Sequence, residues 1–302
     1  MATTKALGVL ELQAAEALRP RAHLSGRIWK LIRQNPLGFL ALIIVLTLAI
    51  VAVFAPLIAP YGVGEYTAGQ PKEDPSLHHL FGTDGSGRDM FSRVVFGARI
   101  SMGVAFLSVI GGTVIATVLG IVSGYVGGAL DNLIQRSVDT ALAFPQLLFL
   151  LILAQALGPS FNTVVLAIGI SIIAPVARIV RGAALSEKNN QYVEAARALG
   201  ASTPRILFIH IAPNIAALAI IVATTLLGLA ILAEASLSFL GLGIPVPNPS
   251  WGTDISLARN TLPFHLWWAL FPGLAITLTV LAFNLLGDSL RDILDPRLRG
   301  RL

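Results

Sequence analysis

Apolar residues run in long uninterrupted blocks along this chain, and the polar residues are gathered between them. Residues 34–64, 100–130, 140–177, 206–233 and 260–287 contain no Asp, Glu, Lys or Arg. About 20 apolar residues in a helix cross a hydrocarbon core about 30 Å thick, so four of these blocks each fit one crossing. The block 140–177 is 38 residues long. At about 1.5 Å per residue it is nearly twice too long for one span. Gly158-Pro159-Ser160 near its middle is a turn signal. The block therefore predicts two helices with a tight outer turn. The fold class expected is an all-α polytopic membrane protein with six transmembrane helices.

Composition agrees with that pattern. Of 302 residues, 55% are hydrophobic and 12% charged, where soluble domains carry about 25% charged residues. The absence of cysteine excludes disulfides and thiolate metal sites. Basic residues set the orientation. With the N-terminus inside, 16 of the 21 Lys and Arg residues fall on inner segments; Lys72, Arg88, Arg93, Arg99 and Arg259 fall outside. Both termini are thus expected in the cytoplasm, in a multi-pass protein of the cytoplasmic (inner) membrane. The net charge of +5 is mostly this inner-face bias and gives no argument for nucleic acid. The polar stretch before the first span is too long for the n-region of a cleaved signal.

The expected organisation is a cytoplasmic arm (1–36, partly helical from Gly8 to Leu18), a first span (37–59) and an extracytoplasmic segment (60–98). A five-helix core (99–287) and a cytoplasmic tail (288–302) follow. Gly120-x3-Gly124-x3-Gly128 lines small residues on one helix face and predicts close helix packing in lipid. No internal repeat is evident, which removes the usual signature of ion-driven secondary transporters.

The most telling polar stretch is 188–214, between two apolar blocks. Asn189 or Asn190 can cap a helix that runs to Leu199, and Gly200 supplies a left-handed stop. Thr203 then caps a second helix with Pro204 at its first position. In the first helix Tyr192, Ala195, Ala196 and Leu199 share one face. The alanines keep that face narrow, and Glu194 and Arg197 flank it. So weakly apolar a stripe suits a protein groove better than a lipid surface.

Glu194-Ala195-Ala196-x3-Gly200, followed by His210-Ile211-x-Pro213-Asn214, resembles the coupling loop of ABC importer permeases, here within residues 181–213. Ala212 stands where that family usually has Leu. The stretch from Leu80 to Arg99, Leu237 to Gly243, Trp251-Gly-Thr, Phe271-Pro-Gly and the ending Asn284 to Arg297 are similar to dipeptide and oligopeptide permeases. The ending is of the "C" subunit type. The resemblance implies a type I importer permease (MetI-like) fold. It also implies a second homologous permease subunit in a heterodimer, two cytoplasmic ATPase subunits, and an extracytoplasmic substrate-binding protein. Tyr192, Glu194, Ala195, Ala196, Arg197, Leu199, Gly200, Ile211 and Pro213 would couple the chain to the ATPase.

No cofactor is expected on this chain; ATP and Mg would sit on the partner ATPases. Its four lysines, Lys5, Lys30, Lys72 and Lys188, never follow glycine, so no Walker A sequence exists. The glycines at 82–87 predict a turn leading into an interfacial helix. His78-His79 lacks partners at metal-ligand spacing and reads as a surface pair. Glu234 and Asn284 are the translocation-path candidates, Glu234 as an acid near the outer end of its span. Their competing readings are a packed carboxylate and a helix-to-helix hydrogen bond. Asp288, Arg291, Asp292 and Asp295 are expected to form inner-face ion pairs. Nickel chelates, glutathione and antimicrobial peptides remain alternative cargoes. An ion-driven secondary transporter is the alternative from another class.

Overall fold

The computed structural model describes residues 35–65, 69–261 and 264–294. The expected arm helix and the tail residues Asp295 and Arg297 lie outside them. The described chain runs α1 (Pro36–Val53), α2 (Ala55–Ile58), α3 (Met90–Val126), α4 (Gly128–Ala143) and α5 (Gln146–Leu157). It continues with α6 (Phe161–Glu187), α7 (Gln191–Ala198), α8 (Thr203–Phe239), α9 (Trp251–Ala258) and α10 (Trp267–Leu294). Helices α1, α3, α6, α8 and α10 are long and apolar enough to cross a membrane, and the bent pair α4 and α5 is together long and apolar enough to count as a sixth.

Lipid tails are as apolar as leucine, so shape rather than hydrophobicity holds such helices together. α1 turns Gly38, Ala41, Val45 and Ala52 inward and leaves Leu37, Leu40, Ile43, Leu46 and Ile50 outside. Gly38 lies against Ser289, so the start of α1 and the end of α10 share one end of the bundle. α3 and α6 form the tightest pair. A Cβ on Gly112 would stand 2.5 Å from the carbonyl oxygen of Gly169, and one on Gly120 2.8 Å from that of Ala177. Gly124 meets Ala184 in the same row. Gly128 does not join it: α3 ends at Val126, and Gly127 and Gly128 both take positive φ to turn the chain into α4.

The second span begins earlier than the charge-free block suggests. Asp89 caps α3, accepting from the Ser92 amide at 2.7 Å and the Ser92 hydroxyl at 2.8 Å. No separate interfacial helix follows the glycine turn; the turn feeds α3 directly. Arg93 then lies inside the helix, neutralised by Asp254 of α9, with both residues buried. His79 is not a surface residue either. It is buried, with Nδ1 3.0 Å from Asp89 and Nε2 3.6 Å from Glu73, while His78 is exposed. The Trp268 indole donates to the Thr83 carbonyl and ties the segment before α3 to α10.

The block 140–177 does turn at Gly158-Pro159-Ser160, where Gly158 has φ +80° and Ser160 caps α6. Its first half is not a straight span. Pro145 cannot continue a helix, and α4 and α5 meet there at 92°. With 12 residues, α5 is only about 18 Å long.

Candidate functional site

The hairpin forms where the sequence places it. Asn190 occupies the N-cap position of α7, but its side-chain amide donates to Glu187 at 2.7 Å instead of capping. At the other end the Gly200 amide bonds the Arg197 carbonyl and the Ala201 amide bonds that of Ala196, both at 3.0 Å. With Gly200 at φ +79°, these two bonds make a Schellman stop. The second helix starts one residue earlier than expected: Ser202 is its N-cap, and Thr203 and Pro204 are its first two positions. A π-helical turn, Ile206–Ile211, follows. It lets Ile206, Leu207 and Ile211 all turn inward.

Packing divides the expected stripe. Val193 is fully buried and Ala196 packs beside it on the core, whereas Tyr192, Ala195, Arg197, Gly200 and Leu199 are exposed, Leu199 at 89%. Glu194 is exposed, and its side chain has no hydrogen bond or ion pair among the described residues. Ile211 is fully buried and packs the root of α8; Pro213 is exposed. Tyr192 braces the hairpin: its hydroxyl donates to Glu187 and accepts from Asn214 at 2.9 Å. Loss of hydration on one side and the Glu187 carboxylate push this phenol above its ordinary pKa.

Two cation–ring contacts that the sequence reading missed tie the hairpin to the bundle. The Tyr125 ring at the end of α3 lies between Lys188 Nζ, 5.9 Å from its centroid, and the Arg197 guanidinium at 5.7 Å. Arg181, at the end of α6, grips Asp131 of α4, and Arg178 pairs with Asp139. The acids of segment 131–139 facing the Arg178–Arg181 pair were the available signal. Glu234 is fully buried. Its carboxylate accepts from Ser101 at 3.1 Å and Ser238 at 2.8 Å, which joins α3 to α8 near α9. That is the arrangement of a packed carboxylate. Asn284 is exposed on α10 beside Gly228, and its side chain makes no hydrogen bond among the described residues. Nor do Asp288, Arg291 or Asp292 form ion pairs among those residues. No cluster of metal-binding side chains occurs there either.

Residues 116–300, which hold the hairpin, match the model of the binding-protein-dependent transport system inner membrane component. The chain belongs to this family. Residues 24–75 of the permease also match the N-terminal transmembrane domain of oligopeptide transport permease C. The permease is 41% identical to the dipeptide transport system permease protein DppC of Alkalihalophilus pseudofirmus, over 90% of each chain. It is 42% identical to the glutathione transport system permease protein GsiD of Escherichia coli O157:H7, over 97% of this chain and 96% of that one. Its fold resembles the inward-facing MetNI methionine ABC transporter, with TM-score 0.57 and 17% identity over 68% of this chain and 98% of that one. The permease thus has the MetI-like fold.

Proposed function

We propose that this permease is one of two homologous membrane subunits of an ATP-driven importer of short peptides. Helix α7 is the lever through which two cytoplasmic ATPases drive it. The observation that carries this reading is the division of α7: Val193 anchors one face, while Ala195, Leu199 and the unpaired Glu194 stand free on the other. A free face on a braced hairpin suits a partner that must push on the bundle. The inner-face bias of basic residues supports placing the hairpin and both termini in the cytoplasm. ATP and Mg bind the partner ATPases, and this chain performs no bond chemistry. An extracytoplasmic binding protein delivers cargo, and the two permeases alternate access around it.

The cargo class rests on relatives named for dipeptide and for glutathione transport. Glutathione is itself a tripeptide, and the similar identity to both keeps it as the second reading. Coexpression with the partner subunits tests the assembly. Glu194→Lys and Gly200→Pro should each insert normally yet lose ATPase co-purification and uptake. Wild-type transport by both variants would overturn the reading. Competition between labelled dipeptide and glutathione in the same vesicles decides the cargo.

A further inference from the structure

The break between α4 and α5 has no role in the coupling hairpin, and its surroundings are chemically specific. Gln146 is the first residue of α5, and its Nε2 lies 3.4 Å from the Ser171 hydroxyl of α6. Ser171 is ten residues along α6 from Phe161, or about 15 Å from its outer end. In a hydrocarbon core about 30 Å thick, the break therefore lies near the midplane.

Broken backbone at that depth is tolerated where protein buries it or where it lines a wet cavity. This chain does not bury it: Phe144 is 53% exposed, and Pro145 and Gln146 are exposed too. Instead a cavity of about 200 Å3 opens there, walled by Leu142, Phe144, Gln146, Ser171 and Pro175 among others. Pro175 lies inside α6. It has no N–H, so the Ser171 carbonyl loses its helical partner. The Ser171 hydroxyl donates to the Ile168 carbonyl at 2.8 Å. The Gln146 Oε1 has no hydrogen bond among the described residues. An amide donor and acceptor and a hydroxyl thus lie together in an otherwise apolar wall. That mixture matches a peptide bond, which needs one donor and one acceptor and carries no charge.

We infer that Gln146 and Ser171 form a way-station in the translocation path that hydrogen-bonds a backbone amide of the peptide cargo. The inference rests on the peptide-importer reading. The cavity is small, so it holds one part of a peptide and leaves side-chain identity largely unread.

The absence of native cysteine makes the test direct. Q146C and S171C are compared with L46C, at an exposed position on α1, in the complete transporter in vesicles. A charged thiosulfonate that does not cross lipid should modify the first two about tenfold faster or more, and saturating dipeptide should slow them. Gln146→Leu should raise the KM for dipeptide uptake about fivefold with little change in maximal rate. Gln146→Asn should recover part of it. Modification of Q146C no faster than that of L46C, or indifferent to dipeptide, would overturn the site, its break then being covered by lipid or by the second permease. If the wild-type complex imports no dipeptide, the cargo reading fails on its own, and the Q146C to L46C ratio still decides whether the cavity is wet.

Discussion

The Arg181 guanidinium meets the Asp131 carboxylate through two parallel hydrogen bonds of 2.7 Å, joining the C-terminal part of α6 to the first turn of α4. The Ser123 hydroxyl also donates to that carboxylate, so α3 shares the junction. Forked pairs of this kind are the strong ones, and the acid is 13% exposed. Arg181→Ala should lower stability in detergent by about 1–2 kcal/mol, read as a fall in melting temperature. The exchange Asp131→Arg with Arg181→Asp should recover part of it.

Backbone proximity makes Gly112 and Gly111 opposite cases. Gly112→Ala would drive its methyl to 2.5 Å from the Gly169 carbonyl, whereas a Cβ at Gly111 meets nothing within 4 Å. Gly112→Ala should cost about 1–3 kcal/mol and reduce folded subunit in the membrane. Gly111→Ala should be silent in the same fluorescence-detected size-exclusion assay.

Arg93 and Asp254 are both buried, yet Arg93 Nη1 and Asp254 Oδ2 have no hydrogen-bond partner among the described residues. Removing one ion strands the other, so Asp254→Leu should cost about 3–5 kcal/mol. Arg93→Met combined with Asp254→Leu should restore near wild-type thermal stability. A double variant as unstable as the single one would show that the charges themselves hold α9 in place.

The two faces of α7 should fail differently. Val193→Asp puts a charge in the core and should abolish folded subunit. Leu199→Asp, at a position 89% exposed, should leave the subunit folded and inserted but prevent ATPase co-purification. Loss of the folded subunit in both would remove the distinction on which the lever rests.

The ring between Lys188 and Arg197 contributes through its face. Tyr125→Phe keeps the ring and should retain uptake, losing only the long 3.4 Å bond from Arg197. Tyr125→Leu removes two cation–π contacts, each worth about 0.5–1 kcal/mol. It should raise the amount of ATP hydrolysed per peptide imported, measured in proteoliposomes.

Much of this molecule was legible in the order of its residues. Charge-free length located the long spans, because hydrocarbon thickness fixes how many apolar residues a crossing needs. Gly158 and Gly200 marked real chain reversals, because both take positive φ, which side chains resist. The sequence also carried the polar hairpin at 188–214 and the family. It did not reveal which alanine of α7 faces inward, because Val193 and Ala196 were sorted by contact with the bundle and not by local period. Nor did it show that His79 is buried against Asp89, that Arg93 enters the helix beside Asp254, or that Pro145 turns a span through 92°. The two ion pairs depend on partners beyond the reach of a local period, and Pro145 marks a break without setting its angle; only the tertiary structure decides those.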